Sequence, residues 1–118
     1  MTIKRIEMNA RMSQAVVHGG LVYVAGQVAP RQAQETTVEG QTRLILARID
    51  QLLAEAGTSK DKLLSVSIWL ASIETFAEMN SVWDAWIPAD TTPARATVEA
   101  RLALPEYRVE ISAVAAVA

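Results

Sequence analysis

The stretch Pro93-Ala94-Arg95-Ala96-Thr97-Val98-Glu99-Ala100-Arg101-Leu102 alternates small or apolar residues with polar ones. Ala94, Ala96, Val98, Ala100 and Leu102 fall on one side of an extended chain; Arg95, Thr97, Glu99 and Arg101 fall on the other. A period of two predicts a half-buried strand. Pro93 stands at its start, where a missing N–H does least harm. Arg95 has two readings on this pattern. A guanidinium on a rigid strand suits a carboxylate, because its planar fork offers two parallel hydrogen bonds. On a solvated strand face the same residue needs no ligand at all.

Downstream, Pro105 separates this strand from a last one, Arg108 to Val117. There Val109, Ile111, Ala113, Ala115 and Val117 share one face, and Arg108, Glu110 and Ser112 the other. If the two strands form a hairpin around Pro105, their faces must match. One register that does so sets Arg101 opposite Glu110. Arg95 then lies six residues further along, roughly 20 Å away at about 3.3 Å per residue. Arg95 and Glu110 of one chain do not meet on that register, whereas contact across a subunit boundary stays open. The plain alternative for Glu110 is a cross-strand ion pair with Arg101, worth under about 1 kcal/mol when exposed.

Upstream, Thr75 and Glu78 have the spacing of a capping box and open a helix carrying Phe76, Met79, Val82, Trp83 and Trp86, which stops by Pro88. Asn80 inside it is a poor helix former, so a side-chain hydrogen bond is expected there. Leu63 to Leu70 reads as a strand with Leu64, Val66, Ile68 and Leu70 on one face. Thr36 and Glu39 form a second capping box, ahead of Val38, Ile45, Ile49, Leu52, Leu53 and Ala56 at helical spacing, and Gly57 ends that helix. Near the N-terminus, Ile3 to Glu7 is a short strand. Gln14 to His18 and Leu21 to Ala25 are two more, joined by the hairpin signal Gly19-Gly20. The predicted order is β-β-β-α-β-α-β-β, an α+β arrangement of a mixed sheet with two helices packed on one face. The other face has no helix to cover it, and its expected cover is another subunit.

Composition removes several function classes. The 118 residues, 51% of them hydrophobic, suffice for one domain over 1–118 with a real core. Net charge is −2 with no basic stripe, so no nucleic-acid partner is expected. The chain has no cysteine and one histidine, His18, which disfavours disulfides, thiolate chemistry and most zinc sites. His18 beside Gly19-Gly20 reads as a turn-edge residue, and Trp69, Trp83 and Trp86 as core or subunit contacts. Gly26 after a strand can offer its N–H to an anion, but no dinucleotide or phosphate-loop spacing is present. No signal-peptide pattern and no apolar run near 20 residues appear, so no membrane partner and a cytoplasmic location are expected.

Taken together, several pieces resemble the Rid family, the YjgF-like reactive intermediate deaminases. They are Ala25-Gly26-Gln27-Val28-Ala29-Pro30, Gln41, Ala56-Gly57, Phe76-Ala77-Glu78-Met79-Asn80, Pro93-Ala94-Arg95 and Val109-Glu110-Ile111. The resemblance covers nearly the whole chain. It implies a chorismate-mutase-like fold and a homotrimer, with sheets packed into a central barrel and clefts between subunits. It implies that Arg95 binds a substrate carboxylate, that Glu110 positions or activates a water, and that Gly26, Asn80 and Thr97 line the cleft. Met12, Ala25 and Thr97 stand where well-known deaminases carry tyrosine, serine and often cysteine; Met12 and Ala25 thereby remove hydroxyls from the pocket. The implied activity is hydrolysis of 2-imino acids, such as those derived from 2-aminoacrylate, to 2-oxo acids and ammonia, with no cofactor and no metal. The alternative is a small-carboxylate binding protein of the same fold with little or no turnover. RNA cleavage, an older name for some relatives, fits the charge balance poorly.

Overall fold

A computed structural model describes residues 2–117. Its elements are β1 (Lys4–Met8), β2 (Ser13–His18), β3 (Leu21–Gln27), α1 (Val38–Glu55), β4 (Leu63–Leu70), α2 (Phe76–Trp86), β5 (Ala94–Glu99) and β6 (Val109–Ala116). The order is the predicted one. The six strands form one mixed sheet in the order β1-β2-β3-β6-β4-β5. Gly19 and Gly20, both at positive φ, turn β2 into β3 so that Val17 faces Val22.

The expected β5–β6 hairpin does not form. β5 pairs in parallel with β4, and β6 lies antiparallel on the other side of β4, between β4 and β3. Helix α2 joins β4 to β5, and a helical crossover of this kind makes its flanking strands parallel neighbours. β6 takes a central place because Val109, Ile111, Ala113 and Ala115 are all buried under the helices. Arg101 lies beyond the end of β5, and the residue opposite Glu110 is Trp69.

Both helices lie on one face of the sheet. From α1, Ile45, Ile49, Leu52 and Leu53 pack with Met79 and Trp83 of α2 over Val22, Val66, Ile68, Ile111 and Ala113. Each fully buried aliphatic side chain contributes about 1.5–3 kcal/mol, so this layer is the main source of stability. A bulge between Leu63 and Ser65 shifts the expected β4 pattern: Leu63 is buried and Leu64 is exposed. The α1 cap is Thr37 rather than Thr36; its hydroxyl accepts from the Gly40 N–H at 3.0 Å. Thr75 precedes α2 but makes no side-chain cap, and its hydroxyl donates to the Ser72 carbonyl instead.

The opposite sheet face carries no helix. Tyr23 (47% exposed), Leu64 (49%) and Val98 (49%) lie on it in the open. Trp69 and Val114 on the same face are half-buried, and Ser65, Ser67, Ser112, Ala94 and Ala96 share that face with them. No helix of the described residues is long and apolar enough to cross a membrane.

Candidate functional site

The sense of the β5 alternation is the reverse of a simple core-facing strand. Arg95 is opposite Val66 and Thr97 opposite Ile68, and both partners are buried beneath the helices. Arg95 and Thr97 therefore turn toward α2, while Ala94, Ala96 and Val98 turn to the bare face. The Arg95 guanidinium lies over two rings of α2, 5.2 Å from the Trp83 centroid and 5.8 Å from that of Phe76. Phe76, Asn80 and Trp83 recur at i, i+4 and i+7, so they share one helical face. That spacing was the available sequence signal for the two aromatic partners of Arg95, which sequence reasoning missed.

Arg95 is a partly buried cation without an acid. It joins neither ion pair found among the described residues, Arg31–Glu106 and Arg48–Glu7. Burial pulls its pKa below the usual arginine value, and Asp84 opposes this only in part. A guanidinium stays protonated throughout the useful pH range, so the cost falls on the charged form. Two oxygens of the same layer are also unpartnered: Asn80 Oδ1 and Thr97 Oγ1 are buried with no hydrogen bond. The hydrogen bond expected of Asn80 is thus not made at that atom. Buried polar atoms are nearly always paired, so two unpaired oxygens in the same layer as an unpaired cation make this the candidate place for binding a polar group.

The second group lies elsewhere on the sheet. Glu110 is half-buried on the bare face, opposite Trp69. Its carboxylate occupies the space above Gly26, where a Cβ would collide with it. The β3–β6 register slips between Val24 and Gln27, and this irregularity brings the Ala25–Gly26 backbone beneath the glutamate. Gln27 is buried, and its Nε2 donates to Gln14 Oε1 at 2.9 Å and to the Ala25 carbonyl at 3.0 Å, fixing β3 to the start of β2. Met12, 42% exposed, lies in the turn just before β2, at the same end of the sheet. Its N–H donates to Asn9 Oδ1 and its carbonyl accepts from the Asn9 N–H.

The predicted residues thus fall into two sets. Met12, Ala25, Gly26 and Glu110 form one, and Asn80, Arg95 and Thr97 the other. Along the sheet Arg95 is three rows from Glu110 and two strands across, about 14 Å at ~3.3 Å per residue and ~4.8 Å per strand. The two also project from opposite faces. Within one chain they do not form a site.

A cavity of about 500 Å³ between the β3–α1 loop and the β5–β6 connection is lined by Ala29, Pro30, Arg31, Glu35, Gln41 and Tyr107, among others. Several of its polar groups are already engaged. Arg31 pairs with Glu106, and Glu35 accepts from the Thr37 N–H and hydroxyl. Gln41 Nε2 donates to the Glu35 and Glu106 carbonyls, and its Oε1 accepts from the Arg108 N–H. The Gln41 expected from sequence as a family position is thus a buried latch between two loops. His18 is exposed at the β2–β3 turn, as expected. Among the described residues no group of three or more His, Asp or Glu side chains could hold a metal.

The family model described as Endoribonuclease L-PSP matches residues 2–117. The chain belongs to this family. Its members also carry the names YjgF, RutC and Rid. The RutC family protein YoaB of Escherichia coli K12 is 44% identical over 117 residues, covering 99% of this chain and all of that one. The crystal structure of a YjgF-family member from Neisseria meningitidis superposes with a TM-score of 0.94 at 46% identity, over 98% of this chain and 95% of the other. A Rid-family protein of unknown function from Yersinia pestis gives a TM-score of 0.90 at 30% identity, over 98% and 100% of the two chains. Rid membership and the α+β fold expected from the sequence are therefore established.

Proposed function

We propose that the protein is an imine deaminase that hydrolyses 2-imino acids to 2-oxo acids and ammonia in clefts between the subunits of a homotrimer. The observation that carries this reading is Arg95: a partly buried guanidinium with no acid partner, beside two unpaired buried oxygens. The guanidinium of such a site is relieved by a carboxylate, which accepts two parallel hydrogen bonds from the fork, whereas the Asn80 amide oxygen, itself an acceptor, needs a donor such as a substrate N–H. Because Glu110 stands about 14 Å off on the opposite face, the residue that completes the site comes from a neighbouring copy. The bare face supplies the means, since its exposed Tyr23, Leu64 and Val98 make a surface suited to burial against like surfaces.

In the mechanism, Arg95 fixes the carboxylate and so orients the imine carbon. Glu110, held over Gly26, takes a proton from water as oxygen bonds to that carbon. The resulting carbinolamine collapses to the 2-oxo acid, and its nitrogen leaves as ammonia after gaining a proton. A protonated imine is already electrophilic, so positioning and one general base suffice. The test is to mix the protein with freshly generated 2-iminobutanoate and follow loss of the imine and release of ammonia. Arg95→Ala should lower kcat/KM about 100-fold, the worth of a lost charged bidentate contact. Normal turnover by that variant would refute the assignment.

A second reading is a carboxylate-binding protein without useful turnover. It is favoured by Met12 and Ala25, which leave those two positions on the Glu110 side without hydroxyls. Saturable binding of 2-oxobutanoate with no imine loss above the uncatalysed rate would select it. RNA cleavage, which the family description names, is the weaker match to a chain of net charge −2.

A further inference from the structure

We propose that Trp83, assisted by Phe76, is a positioning residue that holds the Arg95 guanidinium in its carboxylate-binding orientation through cation–π contact. The proposal rests on the carboxylate role given to Arg95 above. Arginine side chains are long and lose much rotamer freedom on being fixed, and a strand-borne arginine is ordinarily steadied by a carboxylate. Arg95 makes no ion pair, and Asp84 acts on it only from beyond ion-pair distance. An acid there would also occupy the hydrogen-bonding fork that a ligand must use. Aromatic faces solve both problems, because they attract the cation through the ring quadrupole and leave its N–H edge free.

The surroundings fit this division of labour. Trp83 is 5% exposed and packed in the core, so its ring is a fixed surface. Its neighbour Trp86 lies 5.5 Å away centroid to centroid, tilted by 48°, and Trp86 Nε1 donates to Asp50 at 2.9 Å. Trp86 is thus tied to α1, and it backs Trp83. Phe76, 39% exposed, covers the guanidinium from two turns nearer the start of α2. That start is itself tied to β5, because the Ile73 N–H donates to Glu99 Oε1 at 3.0 Å. Both the arginine and the rings that hold it are therefore anchored to one another through β5 and α2.

The experiment measures 2-oxobutanoate affinity by calorimetry on the full chain. The variants are Arg95→Ala, Phe76→Leu, Trp83→Phe and Trp83→Leu, together with site-specific 5-fluoro- and trifluorotryptophan at position 83. Fluorination drains the ring face of negative charge while nearly preserving its shape, so the fluorinated series reads the cation–π contact even if Trp83→Leu fails to fold. Affinity should fall stepwise with fluorination, by about tenfold overall. It should fall about threefold to fivefold in Phe76→Leu and be largely retained in Trp83→Phe. Equal affinity across the fluorinated series, with Arg95→Ala still abolishing binding, would overturn the positioning role alone. Unchanged affinity in Arg95→Ala would remove the carboxylate reading on which it stands.

Discussion

Gly26 leaves open the volume that the Glu110 carboxylate fills; a Cβ at position 26 would stand inside that group. The φ of Gly26 is not in the left-handed region, so its lack of a side chain is a matter of space. Gly26→Ala should therefore fold with nearly unchanged thermal stability, because the obstacle is the free end of a flexible side chain. It should lower kcat about tenfold or more by turning Glu110 away from its water. Affinity for 2-oxobutanoate should stay near the parent value, since Arg95 is not touched. Steady-state kinetics with calorimetry checks both halves.

Gln41 spans three backbone groups with one amide. Gln41→Glu keeps the shape but removes the two donors and sets a carboxylate against the Glu35 and Glu106 carbonyls. The expected loss is about 2–4 kcal/mol, because buried acceptors lose their partners and a charge is left without one. Urea unfolding should show a lower midpoint with an unchanged slope.

The Glu35 carboxyl is held below the usual glutamate range, chiefly by the Thr37 N–H and then by the Thr37 hydroxyl. Its pKa is depressed in the folded state, so its contribution is present above the unfolded pKa and fades as pH falls through the folded one. Glu35→Gln should melt below the parent at pH 7. The difference should shrink as pH is lowered from about 5 to about 3. A difference in melting temperature that stays constant across that window would contradict the account.

The bare sheet face should be a subunit interface. Val98→Lys and Tyr23→Lys each place a charge on it. Light scattering should show the three-chain mass for the parent and smaller species for the variants, with imine turnover lost in parallel.

Much of this architecture was written in local patterns. The Gly19-Gly20 turn, the spacing of Ile45, Ile49, Leu52 and Leu53, and the missing cover on one sheet face could all be read from residue order. What escaped were non-local choices. Pro105 pointed to a hairpin, yet β6 pairs with β3 and β4 because its buried face of Val109, Ile111, Ala113 and Ala115 belongs at the centre. Alternation separates the two faces of β5, but Ala94 and Ala96 are too small to decide which is buried, and the aromatic rings of α2 draw Arg95 inward. The choice between Thr36 and Thr37 as cap turned on one residue, a difference that pattern matching rarely resolves. Arg95 and Glu110 stood out as chemically notable, but their separation by face depended on pairings no single segment encodes.

Complementation between two inactive variants tests the shared site most directly. Arg95→Ala and Glu110→Gln chains, each expected to be inactive alone, are unfolded, mixed in equal amounts and refolded together. A cleft built from the arginine of one chain and the glutamate of its neighbour is then intact in about one quarter of cases. Imine turnover should return to about that fraction of the parent rate. A mixture as inactive as its two components, with mixed trimers shown to be present, would contradict a site made by two subunits.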